Sequence, residues 1–160
     1  MERVKSPALL FAALSDYWRG LAGPGRLPSY RAVDPVALAR LLPYLVSVEV
    51  LADPLDFRFR LMGEHVAMHN GRNVAGLCLG HLMAESRPSE ATFYRRLFGY
   101  FQAVAESDKP LGARFDFHGS AGIPRSVEMV AMPLAGRDGE VARLLAAMVF
   151  IEVATAATRR

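Results

Sequence analysis

Cysteine, lysine and long apolar runs are all scarce in this chain. The single cysteine, Cys78, excludes an internal disulfide and fits a reducing compartment. Lys5 and Lys109 are the only lysines among the 19 basic residues, and most of the arginines stand singly among acids. The formal charge of +3 includes Arg159 and Arg160 at the tail. Such scatter argues against the basic patch of a nucleic-acid-binding protein and the polybasic cluster of one that docks on anionic membranes. No apolar run approaches the ~20 residues that span a bilayer. Catalytic signatures are missing too: there is no G-x-S-x-G, no P-loop, no H-E-x-x-H and no G-x-G-x-x-G after a strand.

What is present is an ordinary globular composition, 52% hydrophobic and 22% charged over 160 residues. A chain of that length is expected to form one domain and to bury roughly 70% of its unfolded surface. The opening MERVKSPALLFAAL loosely resembles a signal peptide. Its pattern, however, continues with helical spacing through Leu10, Leu14, Tyr17, Trp18 and Leu21, one stripe of an amphipathic helix. Ser6-Pro7 starts that helix and Gly23-Pro24-Gly25 stops it, which predicts residues 7–22 as helical and a cytoplasmic protein.

Asp34-Pro35 reads as a second helix start, with Leu38, Leu41 and Leu42 inward and an end before Pro43. The β-branched alternation of Leu45 to Leu51 predicts a strand, and Asp56 to Met62 pairs back with it as a hairpin. Phe57, Phe59 and Leu61 are expected on one face of that second strand, with Arg58 and Arg60 on the other. Gly63, Gly71, Gly76 and Gly80 then break the chain into short helices, because each interior Gly costs a helix roughly 1 kcal/mol relative to Ala. A long helix over about residues 89–106 follows, its inward stripe Phe93, Leu97, Tyr100, Phe101 and Val104. Strands at 111–118, 124–134 and 143–153 close the chain, joined by turns at 119–122 and 136–139. No repeat or linker interrupts this order.

An antiparallel sheet interrupted after its second strand by small helices and one long helix resembles the element order of PAS domains. In detail the chain is similar to the short stand-alone bacterial PAS-domain family. The similarity rests on Tyr17-Trp18 in the first helix, on Leu27-Pro28 followed by Asp34-Pro35, and on the strand end Arg60-Leu61-x-Gly63 with Gly71 and Gly76 behind it. It covers roughly Tyr17 to Leu82 closely and the remainder by element pattern.

The resemblance implies an α+β fold: a PAS-like five-stranded antiparallel sheet with short helices and one long helix on one face, preceded by N-terminal helices. It divides the chain into an N-terminal helical extension (1–44), a PAS-like domain (45–154) and a disordered tail (155–160). It also implies a non-enzymatic sensory or interaction module with a cavity between sheet and helices, in bacterial signalling, and it names no cofactor. Gly71-Arg72-Asn73 resembles the start of the photoactive PAS motif, yet Val74 stands where the reactive cysteine belongs. In the register beginning at Gly76, Leu79 does. No cysteinyl-flavin adduct is expected. Of the histidines, His65, His69, His81 and His118, none lies on the long helix where resembling haem-binding PAS domains carry their axial ligand. His65 and His69 share a helix face at i, i+4, but no third metal ligand accompanies them, so no metal is assigned.

The candidate ligand-binding set is Phe59, His65, His69, Phe93, Leu97, Phe101, Met129 and Met148. Such an apolar stripe is either plain core or the lining of a cavity for a small, mostly apolar ligand, for which flexible methionines are suited. Arg60, expected on the other sheet face, should anchor the N-terminal segment, with Asp34 as its partner. The N-terminal helix should cover the sheet or a second copy, making a homodimer or a regulatory protein the expected partner. The alternative is a small cone-like α+β enzyme or carrier with an apolar pocket and Glu128 as its acid.

Overall fold

The computed structural model describes residues 6–118 and 124–152. The predicted turn at 119–122 and the tail at 155–160 lie outside the described residues. Helix α1 spans Pro7–Leu21. Pro7 suits a first helical position that needs no N–H donor, and the Ser6 carbonyl accepts the amides of Leu9 and Leu10. Leu10, Leu14 and Trp18, two helical turns end to end, form its buried face. Tyr17 and Leu21 on the same stripe are half-buried.

The predicted helix after Pro35 is instead a chain of turns. Leu38 N bonds Pro35 O at 3.2 Å, Ala39 N bonds Val36 O at 3.3 Å and Leu41 N bonds Leu38 O at 2.8 Å, before a single 3-10 turn at Leu42–Tyr44. The cause is Pro43, which lacks a donor and disfavours helical geometry at Leu42. Too few residues remain between the two prolines for a helix to repay its nucleation. Leu38 is buried nonetheless.

Strands β1 (Leu45–Leu51) and β2 (Asp56–Met62) form the expected hairpin, followed by α2 (Glu64–Asn70), α3 (Leu79–Glu85) and α4 (Pro88–Ala105). Gly71, at φ 93°, ends α2 in the left-handed region that glycine enters without a Cβ penalty. Strands β3 (Leu111–His118), β4 (Pro124–Ala135) and β5 (Val141–Glu152) complete an antiparallel five-stranded sheet of order β2-β1-β5-β4-β3. β5 starts two residues before its predicted position because Val141 still pairs with Ala135 across a register shift.

The sheet has two covered faces. On the inner face Val46, Val48, Phe57, Phe59, Met129, Ala131, Ala146 and Met148 pack against α2, α3 and α4. Leu45, Val130, Met132, Leu134, Leu145 and Ala147 on the outer face pack against α1 and the turns that follow it. Trp18 ties the outer layer down, its indole N–H donating to the Pro133 carbonyl at 2.7 Å.

Leu61 departs from the predicted alternation. Ser47 pairs with Leu61 and Val48 with Phe59, so Arg60 is an extra residue in β2. This bulge turns Arg60 and Leu61 together toward the outer face and sends Met62 inward. Leu61 is 41% exposed as a result. Gly63 follows where the chain presses on the 3-10 turn: a Cβ there would collide with the carbonyl oxygens of Leu42 and Pro43.

Candidate functional site

The candidate ligand residues fall into two groups. Phe59, Leu97, Phe101, Met129 and Met148 are 0–2% exposed and belong to the packed inner core. Phe101 meets Phe57 and Phe59 edge-on, at 5.5 and 6.4 Å between ring centroids. Those contacts fill the centre of the inner layer with side chains.

Space opens at one end of that layer. A cavity of about 370 Å³ lies between α2, the first two turns of α4 and the ends of β3, β4 and β5. His69 and Phe93 line it, joined by Tyr94, Phe117 and Phe150. The rings converge: Phe93 to Phe117 at 4.8 Å, Phe117 to Phe150 at 6.0 Å, and His69 stacked on Phe150 at 5.4 Å with planes 6° apart. Arg72, Glu90 and Arg125 supply charge at the walls. The Tyr94 hydroxyl donates to Asn70 Oδ1 at 3.2 Å, and burial raises its phenol above the ordinary range.

His65 stands behind this wall. Its Nε2 accepts the Phe150 N–H at 3.2 Å, and its ring lies 4.6 Å from Tyr44 and 4.3 Å from His69. The geometry has a topological reason. β1 begins at Leu45, opposite Ala147, so the amide of Phe150 projects beyond β1 and needs another acceptor. Burial, with a smaller push from His69, lowers the His65 pKa to about 4, which keeps the imidazole neutral, and because Nε2 accepts, the ring proton sits on Nδ1. His69 Nδ1 lies 2.8 Å from the His65 carbonyl and must donate to it, leaving Nε2 as the other polar atom of a ring that lines the cavity. The shared helix face of the two histidines thus serves backbone hydrogen bonding. Among the described residues no three His, Cys, Asp or Glu side chains gather as metal ligands would.

Two other expectations are corrected or displaced. Arg60 pairs with Glu49 at 3.6 Å, while the Asp34 carboxylate accepts the Val36 amide at 2.9 Å, so the expected Arg60–Asp34 pair does not form. Asp34 begins a turn, and its carboxylate is spent on it. Glu128 lies on the outer face with a side chain 30% exposed, held by Arg114 at 3.3 Å. The cone-like enzyme alternative therefore loses its acid, which lies on the opposite side of the sheet from the cavity.

Phe117 and Phe150 were legible only in part. Strand alternation puts Phe117 inward, but nothing local in the sequence brings it beside Phe150, which pairs with Val127 and not with Phe117.

The sequence profile of the PAS domain family matches residues 5–149. No curated protein matches the sequence. Among solved structures, 124 chains match. The PAS domain of Bordetella pertussis BvgS is similar at 15% identity and TM-score 0.51, covering 78% of this chain and 90% of that one. VqmA bound to DPO is similar at 11% identity and TM-score 0.53, covering 74% of this chain and 57% of that one. The Vibrio cholerae VqmA dimer in the absence of target DNA is similar at 11% identity and TM-score 0.51, covering 72% and 49%. The chain thus spans about half the length of the VqmA chains it matches, and at these identities the likeness is one of fold.

Proposed function

The chain belongs to the PAS domain family, a family of sensory modules, and from that premise we propose that it is a non-enzymatic module whose input is a small molecule with a mostly apolar body. The observation that carries this reading is the cavity beside His69 and Phe93, where four rings converge around open volume while the centre of the same layer is filled. A flat apolar body fits against such rings, and Arg72, Glu90 and Arg125 fix its polar end.

Native mass spectrometry with an absorption spectrum of the purified protein tests it. The expected result is a bound species of defined mass that is absent from the Phe93→Ala variant. A ligand-free protein that takes up nothing from a metabolite extract overturns the small-molecule reading in favour of partner docking.

In this reading residues 1–44 form an extension that covers the outer sheet face of a PAS-like domain at 45–154, and the protein works in the cytoplasm. Among the described residues no helix is long and apolar enough to cross a membrane. The inward stripe of α1 is spent on its own sheet, so a homodimer or regulatory contact would use the opposite strip around Leu9, which is 70% exposed. VqmA, on the same fold, is described as a dimer. Light scattering on wild type and Leu9→Glu checks this: a dimer that becomes monomeric supports it, and a wild-type monomer removes it.

A further inference from the structure

The outer face of the sheet carries a second hollow, independent of the ring-lined cavity. Helix α1 covers β4 and β5, and the turns at 30–42 stand beside it, leaving a groove of about 380 Å³ over β2, β1 and β5. Leu45 and Leu145 lie at its floor, and Leu38, Leu42 and Leu61 form its apolar walls. Arg60 and Arg143 line the same groove.

The charge around it does not balance. Glu49 is shared by Arg58 at 3.8 Å and Arg60 at 3.6 Å. Arg143 makes no ion pair among the described residues; its guanidinium rests over the Tyr30 ring, 4.5 Å from the centroid. Of the two guanidiniums that line the groove, Arg60 is paired with Glu49, and Arg143 has no carboxylate partner among the described residues. The β2 bulge makes the arrangement specific, because regular alternation would bury Leu61 on the inner face and leave the groove without that wall.

We propose that this groove binds a small amphiphilic carboxylate, its anionic end between Arg60 and Arg143 and its hydrocarbon on the leucine floor. Two guanidiniums beside an apolar surface favour an anion through charge-assisted hydrogen bonds. The hydrocarbon contributes by leaving water. The volume falls within the roughly 300–1,000 Å³ range of small-molecule sites, which favours a free ligand over a protein segment.

Sodium decanoate, kept below its micelle concentration and titrated into the full chain with amide NMR as the readout, tests the assignment. Saturable shifts are expected at Ser47, Leu61 and Leu145, with decanol and decylamine binding at least about tenfold more weakly. Arg60→Gln and Arg143→Gln should each weaken decanoate about tenfold, the scale of one lost charge-assisted hydrogen bond, while keeping the wild-type urea midpoint. Shifts confined to His69, Phe93 and Phe150 would assign the carboxylate to the other cavity and overturn the proposal. Equal affinity for decanol, or unchanged affinity in both glutamine variants, overturns it as well. Absence of any saturable shift removes the small ligand and leaves the groove to an acidic segment of a partner protein.

Discussion

The two faces of the sheet are covered in different ways. The inner face is closed by three helices through large rings and methionines, densely at its centre and loosely at one end. The outer face is closed by one helix and a run of turns, and its buried core is aliphatic apart from Trp18 and Met132, with Phe11, Tyr17, Tyr30 and Tyr44 partly buried around it. The two closures differ in how much variation they tolerate. A face closed by interlocked aromatic rings transmits any change of volume, whereas one covered by a strap leaves gaps at its margins. Both hollows lie where the covering elements stop.

The sharpest test of that contrast compares two phenylalanines of α4. Phe101→Ala empties the centre of the inner layer, where Phe57, Phe59 and Tyr100 surround the ring. A loss of about 3–5 kcal/mol is expected in urea unfolding. Phe93 is half-buried at the cavity, so Phe93→Ala should cost only about 1–2 kcal/mol, in proportion to the smaller area it removes from water. Equal costs would mean that the cavity end is packed as tightly as the centre.

Trp18→Phe probes the other face. It keeps an aromatic ring but removes part of the indole's buried volume and leaves the Pro133 carbonyl without its donor, at a cost of about 1–3 kcal/mol. The shape of the transition matters as much as its midpoint. If residues 1–44 are a layer of the same cooperative unit, fluorescence and circular dichroism will shift together. Early loss of the Trp18 signal in wild type, with the sheet intact, would make the N-terminal segment a separable strap.

Much of this architecture is legible before any coordinates. β1, β2 and β3 follow directly from alternation and β-branched residues, and α4 from the spacing of Leu97, Tyr100, Phe101 and Val104. What is not legible is whatever depends on a partner distant in sequence. The bulge at Arg60 exists because of how β2 meets Ser47 and Val48, so strict alternation misplaces Leu61. Two prolines defeat the expected helix after Asp34, although both caps and apolar residues favour it. The site is legible to a similar degree. Phe93 and His69 are readable as inward groups, but which inward rings face open volume depends on how far α2 stands from the strand ends. No spacing within α4 distinguishes Phe93 from Phe101 in that respect.

His65 sits at the boundary between the filled and open ends, and pH offers the gentlest way to move it. Its pKa of about 4 in the folded protein lies below the ordinary 6.5. Between those values the unfolded chain takes up a proton that the folded chain refuses, so stability rises with pH across the window. The contribution is complete above about pH 6.5 and is lost as pH falls through about 4. Because the ring is half-exposed, solvent screening reduces the effect to the order of 1 kcal/mol. Tyr44, His69 and Phe150 are the groups that face it, and only His69 adds charge. Carboxylates titrate near the lower limit too, so the difference between wild type and His65→Gln isolates the imidazole. Glutamine can offer its carbonyl to the Phe150 amide at every pH. The variant should match wild type at pH 7 and exceed it at pH 4.5 in urea midpoint. Parallel pH profiles for the two proteins would show that His65 does not hold the projecting end of β5, and the open end of the inner face would then need another explanation for its order.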